Sequence, residues 1–561
     1  MKLQPWRSRR VLPVGRSPWR SLELAWDLPA ASARLAWLRG IDTPEDLVWR
    51  LDPSWERTGD PGLLAGMNAA VARIRRAIEG QESICIYGDY DVDGVTATAL
   101  LFRVLERLGA KTRFFIPNRF SDGYGLHLEC IRELAASHTL MISVDCGVRS
   151  VAEVAASQAW GTEWVITDHH ALGAILPQAC AVIHPALGDY PNQQLAGVGV
   201  AFKLAQALLD AVPVPRGSDA VFLDGLLKLV AIGTLADMVP LKGENALLVK
   251  RGLKALAGTN GPGLTCLFKA ARIEGEPGAQ QIIFGVVPRL NAVGRMGGAE
   301  EAVRLLLTRD VQEATVLAER VELLNLERRA IQQDLLRRLP PYDGSGFDLV
   351  LDPEAHRGVI GIVAGRRMRE NGVPTAVCTL LDQIAHGSLR APEGYDLGAL
   401  LELARPFLCS GGGHKSAAGM SFEISRLSFV RESMTRGAAQ QARNMVPPAM
   451  ELDGQTVDLI PSAADLRVLE PFGQGFPEPV VGIEGLLKAQ MQAFGQGHRK
   501  FRLNGHAFDL VWFNSEETVS GLATGDFLRV AASPQDHPRW GRSWQVQAAL
   551  NSMADPGGVS P

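Results

Sequence analysis

Between residues 61 and 240, short apolar runs alternate with stretches whose apolar positions recur at helical spacing. The run 84–87, closed by Gly88, reads as a buried strand and is followed by a helical pattern over 95–108. Residues 112–116 read as a strand, 127–137 as a helix, 140–144 as a strand, and a further helix starts at Val151. Strand-like runs at 164–167 and 181–184 complete the series. This rhythm predicts a parallel sheet flanked by helices, in which ligands collect beyond the carboxyl ends of the strands.

Three of these runs end in acidic or imidazole side chains: Asp89-Tyr90-Asp91-Val92-Asp93, Asp145-Cys146-Gly147, and Asp168-His169-His170. On an extended backbone Asp89, Asp91 and Asp93 share one face. Clustered carboxylates raise each other's pKa unless a cation sits among them, so a metal site is expected; a solvated acidic turn is the alternative. A calcium EF-hand is excluded, because a strand precedes the loop and its twelfth position is Leu100. Asp237 stands in the apolar stretch 229–240, as a helix cap or as one more ligand. Next to the other clusters, a ligand is expected.

Residues 288–298 read as a basic, glycine-containing loop ahead of a helix, whose arginines either grip phosphate or are simply solvated. Residues 299–338 are helical in pattern, and the charge-rich tract 319–338 suits a long connecting helix ended by Pro340-Pro341. A second α/β unit follows, with strands at 348–351 and 375–379 and a helix at 359–371. Loops are expected at 356–361, at 387–390 and at Gly411-Gly412-Gly413-His414-Lys415, where glycines let backbone amides approach an anion. A Gly-Gly-Gly-His run alone is most often a flexible turn. After Pro447-Pro448, short alternating runs at 499–503, 507–513, 526–532 and 543–549 predict a small β-barrel. The N-terminal 60 residues carry arginines and Trp6, Trp19, Trp26, Trp37, Trp49 and Trp55. These either stack on bases or form a helical appendage packed on the next domain, and the appendage is the expectation.

Composition narrows the field only slightly. At 561 residues the chain accommodates several domains, and 46% hydrophobic with 21% charged residues is ordinary globular usage. A net charge of −4 means that any nucleic acid must be held by a local basic groove rather than by bulk charge. Seven cysteines without a Cys-x-x-Cys pair suggest reduced thiols and a cytoplasmic setting. No secretory signal or membrane span is expected, and nothing demands more than a monomer.

In their order along the chain, these motifs resemble the DHH phosphoesterase superfamily and, within it, the RecJ family of single-stranded-DNA exonucleases. The residues that carry the likeness are Tyr87–Gly94, Ser143–Gly147, Thr167–His170, Gly233–Pro240, Arg289–Ala292 with Gly294-Arg295, His356–Gly361 and Gly411–His414. The resemblance implies a parallel-sheet DHH domain (61–310), a connecting helix (311–340), a DHH-associated α/β domain (341–446) and an oligonucleotide-binding barrel (447–561), after the appendage (1–60). It implies two divalent ions, Mn2+ or Mg2+, between the two α/β domains. Asp91 and Asp93 would serve different ions, Asp145 would bridge them, His169 and Asp237 would complete the second site, and Asp89 would serve the first. His170 would face the scissile phosphate and Asp168 would orient a histidine. Arg289, Asn291, Arg295, His356, Ser388, Arg390, Gly412, Gly413 and His414 would hold the strand. Ala391 stands where the family usually has a serine, which removes one expected hydroxyl contact.

The implied activity is stepwise hydrolysis of single-stranded DNA from the 5′ end to mononucleotides, in recombination and repair. A single-strand-binding protein or a RecQ-type helicase is the partner implied. Two rivals stand beside it: a DHH enzyme for short oligonucleotides or small nucleotides, and a non-catalytic nucleic-acid-binding scaffold.

Overall fold

The computed structural model describes residues 6–10, 17–52, 54–123, 125–212, 219–258, 260–443, 450–454, 463–495, 497–513, 515, 522–537 and 541–551. The expected boundary at Pro447-Pro448 lies outside these residues.

The first sheet has five parallel strands in the order Lys111–Phe115, Ser83–Gly88, Leu140–Val144, Glu163–Thr167 and Ala181–Ile183. Its central strands are mainly apolar because both faces are covered. Ile84, Ile86, Ile142 and Val165 pack on one side, with the helices Val92–Arg107 and Gly197–Ala211. Cys85, Tyr87, Met141, Trp164 and Ile166 alternate onto the other, against Ile131 and Val154.

Helix Val311–Arg338, 28 residues and so about 42 Å long, leads out of this domain. Beyond it lies a second five-stranded sheet in the order Ser410–Gly413, Ala417–Glu423, Ile384–Arg390, Thr375–Leu381 and Asp348–Leu351. Only its last pair is parallel. Helix Arg357–Asn371 covers one face, while Leu397–Ala404 and Leu427–Ala442 cover the other.

The C-terminal sheet has six strands, antiparallel except where Asp509–Trp512 runs parallel to Gly541–Asn551. A bridge between Leu487 and Leu503, with Asn504 N donating to Leu486 O (2.8 Å), returns the first strand to the third and closes the barrel. Among the described residues no helix is long and apolar enough to cross a membrane.

The N-terminal helices Arg20–Trp26, Ala30–Leu38 and Pro44–Leu51 do more than lean on the next domain. Leu22, Leu35 and Leu47 share a core with Leu466, Leu469, Phe472 and Phe476 from the far end of the chain, and Trp19, Trp26 and Trp37 pack on it. Among the described N-terminal tryptophan side chains, only Trp49 and Trp55 pack against the large first-domain core. Trp6–Ser8 pairs in parallel with Met450–Leu452. Arg39 clamps the buried Asp453 with both ends of its guanidinium, at 3.0 and 2.9 Å.

Four expected loops are regular structure: residues 357–361 open the helix Arg357–Asn371, with His356 as its cap. Residues 287–295 form a helix that continues from a π turn at Ile282–Val286, with Pro288 tolerated in its first turn. Residues 387–390 lie in a strand, where Gly387 is needed for packing: a Cβ there would stand 2.8 Å from Cys378 Sγ. Gly411–Gly413 is likewise the edge strand of a hairpin.

Candidate metal centre

The first strand delivers Asp89, and the chain then turns at once into a helix. Asp91 is the N-cap of Val92–Arg107, its Oδ1 accepting from Asp93 N (2.9 Å) and Gly94 N (3.2 Å). The three aspartates therefore do not share one extended face as expected. The helix begins three residues earlier than its apolar pattern suggests, and Asp93 lies in its first turn. Gly94 makes this possible, because a Cβ there would come within 2.6 Å of Asp89 O.

Asp93 is buried, and its carboxylate accepts Gly197 N (2.7 Å) and Val198 N (2.9 Å), the opening amides of the next long helix. Asp145 follows the strand Leu140–Val144 with left-handed backbone, φ 62°, a conformation that Asp tolerates better than most residues. Gly197 packs against it so tightly that a Cβ would lie 2.4 Å from Asp145 Oδ1. After the next strand, buried Asp168 accepts the amides of Val148 (2.9 Å), His169 (2.7 Å) and His170 (3.0 Å), and its Oδ1 meets His170 Nδ1 at 2.8 Å. Asp237 ends the helix Asp219–Asp237.

These side chains converge. His169 Nε2 is 3.1 Å from Asp145 Oδ1, 3.7 Å from Asp237 Oδ2 and 3.8 Å from Asp93 Oδ2. Three groups place ligand atoms within 4.8 Å of one another: Asp89 with Asp91 and Asp145; Asp93 with His169 and Asp237; and Asp145 with His169 and His170. Asp91 and Asp93 thus fall in different groups, and Asp145 touches both sides.

The electrostatics are those of a cation site. Burial, with the charge of neighbouring carboxylates, pushes Asp89, Asp93 and Asp145 well above the usual carboxylate range. Burial and the charge of Asp91 raise Asp237 to about 6. Burial, reinforced by His170, lowers His169 to about 4 and keeps its ring neutral. Burial works against charge on His170 too, but the hydrogen bond and charge of Asp168 outweigh it and lift His170 to about 9. For Asp168, burial is outweighed by that same pair and by the backbone amides, which bring it to about 2. Asp89 Oδ1, Asp145 Oδ1 and His169 Nε2 are buried with no hydrogen-bond partner. Each such orphan is unfavourable by itself, and cations held among these groups would satisfy them. Oxygen donors with one imidazole suit Mn2+ or Mg2+ rather than a structural zinc.

Beside this centre the two α/β domains meet across an arginine cluster. Arg295 donates to Gly358 O (3.2 Å), and a Cβ at Gly358 would lie 2.2 Å from Arg295 O. Burial, then the charges of Arg119, Arg328 and Arg390, lower Arg295 to about 10. Arg390 donates to Ser388 Oγ (3.2 Å). Ser388, Gly419 and Gly412 lie side by side across three strands, and Gly413 and His414 continue that exposed hairpin. His356 caps Arg357–Asn371 through Nδ1 and meets the Phe120 ring edge-on at 5.4 Å. Asn291 is half-buried one turn before Arg295.

Arg289 is not brought to the cluster. Its guanidinium is spent on Glu322 (2.5 and 3.2 Å) and on the carbonyls of Gly285 (2.6 Å) and Ala270 (2.9 Å). Ala391 is buried in the second domain's core, so its side chain faces apolar neighbours. Sequence reasoning missed Arg119, whose guanidinium lies over Tyr90 at 5.0 Å from the ring centroid, and Arg328 on the connecting helix. Arg119 could have been found: it too follows the carboxyl end of a parallel strand, Lys111–Phe115.

Models of three families match the chain: the DHH family N-terminal domain over residues 83–234, the DHHA1 domain over 344–437 and the RecJ OB domain over 450–551. The single-stranded-DNA-specific exonuclease RecJ of Bacillus subtilis is 35% identical over 515 residues, covering 88% of this chain and 64% of that protein. The chain therefore spans just under two thirds of that relative. RecJ of Dickeya dadantii is 35% identical over 539 residues, covering 90% of this chain and 92% of its own. The crystal structure of Thermus thermophilus RecJ with Mn2+ superposes with a TM-score of 0.83 at 30% identity, covering 99% of this chain and 81% of that one. Its Mg2+ complex gives 0.76 at 29% identity, covering 99% and 80%.

Proposed function

The chain belongs to the RecJ family of single-stranded-DNA-specific exonucleases, and on that premise we propose that it hydrolyses single-stranded DNA stepwise from the 5′ end, releasing mononucleotides in recombination and repair. The observation that carries this reading is the convergence of Asp89, Asp91, Asp93, Asp145, His169 and Asp237, with three orphaned buried atoms, next to an arginine cluster.

Two divalent ions, Mn2+ or Mg2+, held by these six residues would supply a nucleophile at neutral pH and neutralise charge at the phosphate. The chain's own groups do the rest. Asp93, fixed by two helix-opening amides, and Asp145, fixed by its backbone, hold oxygens in place before substrate arrives. His170, kept charged by Asp168, is assigned to the scissile phosphate. Arg295, Arg390 and Arg119 grip neighbouring phosphates, with Ser388 and His356 beside them and the hairpin Gly412, Gly413 and His414 as a floor open to backbone contacts. Arg289 has the separate task of bracing the helix that carries Arg295 and Asn291.

On the barrel, exposed Phe494 and Phe513 cluster with the half-buried His498, ring centroids 5.1 to 6.1 Å apart. We assign these rings to stacking on bases of the downstream strand. A barrel of this kind favours a long strand over a small-nucleotide substrate. The reading includes a monomer in the cytoplasm, in keeping with seven free cysteines, supplied with single strands by a single-strand-binding protein or a RecQ-type helicase.

Purified protein with Mn2+ or Mg2+, given strands labelled at either end, single or paired, tests this. The expected result is early release of a 5′-terminal mononucleotide from single strands and none from blunt duplex. Release from the 3′ end first, or equal cutting of duplex, overturns it.

A further inference from the structure

As at Asp145, no hydrogen bond from another described residue fixes the Asp237 carboxylate, so its aim depends on the backbone that follows. That backbone leaves the helix through Met238 in left-handed conformation, φ 61°, and four residues past Asp237 it is clamped from two directions. Leu241 N donates to Gln474 O (2.8 Å). Leu241 O accepts from Arg50, whose guanidinium also donates to Leu469 O (3.1 Å) and Pro471 O (2.9 Å). The Leu241 side chain is buried against Gly473, where a Cβ would stand 2.7 Å from Leu241 Cδ1.

The clamp itself is held together by several contacts. Gly473 and Phe476 exchange backbone hydrogen bonds at 2.9 and 3.1 Å, closing the turn. The rings of Phe472 and Phe476 stack at 5.6 Å, and Arg50 lies over Phe476 at 3.5 Å. Arg50 is buried and has no carboxylate partner among the described residues; carbonyls and an aromatic face hold it. Lys250 Nζ ties Arg50 O to Val468 O.

We propose that Arg50 and the turn Phe472–Phe476 form a clasp that positions Asp237 for metal binding. The N-terminal helices and the lead-in to the barrel are then supports of the metal centre rather than an appendage and a linker. Arg50 is a positioning residue, acting through Leu241. The inference rests on the reading of Asp237 as a ligand. Groups that orient metal ligands typically change metal affinity by about 10- to 100-fold.

The test is calorimetric titration of Mn2+ into the full-length, metal-free protein, with binding of a fluorescent single strand measured in parallel without metal. Asp237→Asn is the reference. Arg50→Met, and independently Gly473→Ala, are expected to weaken by about tenfold the same Mn2+ step that Asp237→Asn weakens. The other step and strand binding stay unchanged, and Arg50→Lys regains part of the loss. Wild-type isotherms for Arg50→Met and Gly473→Ala, with a shifted Asp237→Asn, overturn the clasp alone. An unshifted Asp237→Asn overturns the ligand reading and the clasp with it. If Arg50→Met does not fold, Gly473→Ala decides.

Discussion

His169 Nε2 and Asp145 Oδ1 face each other at 3.1 Å, both buried, and neither makes a hydrogen bond. Two atoms so placed need something between or beside them. Mn2+ is therefore expected to stabilise the folded state, by about 2.7 kcal/mol at a hundredfold excess over its dissociation constant. Asp145→Asn is expected to remove the stabilisation together with the hydrolysis. Thermal melts in Mn2+ and in chelator, for both proteins, check this. An equal shift in the variant sinks the assignment of Asp145 as a bridge.

Gly197 is expected to tolerate no side chain. A Cβ would lie 2.4 Å from Asp145 Oδ1 and 2.7 Å from its Cβ, so Gly197→Ala displaces either Asp145 or the helix. Loss of roughly 1–3 kcal/mol of stability and of nearly all activity should follow. Gly412→Ala enters open space and should change stability by less than about 0.5 kcal/mol. Denaturant melts of the two variants give the comparison.

Arg119 and Arg289 should separate binding from folding. Arg119→Ala is expected to raise KM for single strands, by about tenfold for a lost charge-assisted contact of roughly 1.5 kcal/mol, with an unchanged melt. Arg289→Ala should lower stability by about 1–3 kcal/mol and leave KM alone, because Glu322 and two carbonyls already take its donors. Steady-state kinetics beside melts would expose an inverted pattern.

The aromatic cluster of the barrel should matter in proportion to strand length. Phe494→Ala and Phe513→Ala are each expected to weaken binding of long single strands by about 1–3 kcal/mol while leaving cleavage of very short oligonucleotides unchanged. Fluorescence anisotropy against strand length reads this out. Equal losses on short and long strands would place the rings elsewhere on the path.

Much of the architecture was legible because buried parallel strands read as short, mainly apolar runs; Leu140–Val144 and Asp348–Leu351 lie where the pattern puts them. The acidic and histidine residues at strand ends were legible for the same reason. What escaped was decided by neighbours distant in sequence. Helix Val287–Arg295 hides behind Pro288 and Gly294, yet Gly294 is there for close packing, since a Cβ would meet Tyr90 O at 2.4 Å. Gly387 looks like loop chemistry and is strand packing. The helix start at Val92 was masked because Asp91, read only as a ligand, is also the cap. The tryptophans of the N-terminal helices gave no hint that their partners lie more than 400 positions away, although Arg39 pairs with Asp453 across a separation of 414.

The left-handed backbone at Asp145 has a consequence for how such an enzyme can die. Asparagine is at ease in that conformation, and its amide could donate to His169 Nε2 where a carboxylate oxygen cannot. One nucleotide change at the codon would exchange a charged pocket for a neutral one without disturbing the backbone. In the absence of metal the broken enzyme should then be the sturdier protein, so that selection for folding alone pulls this chain away from catalysis.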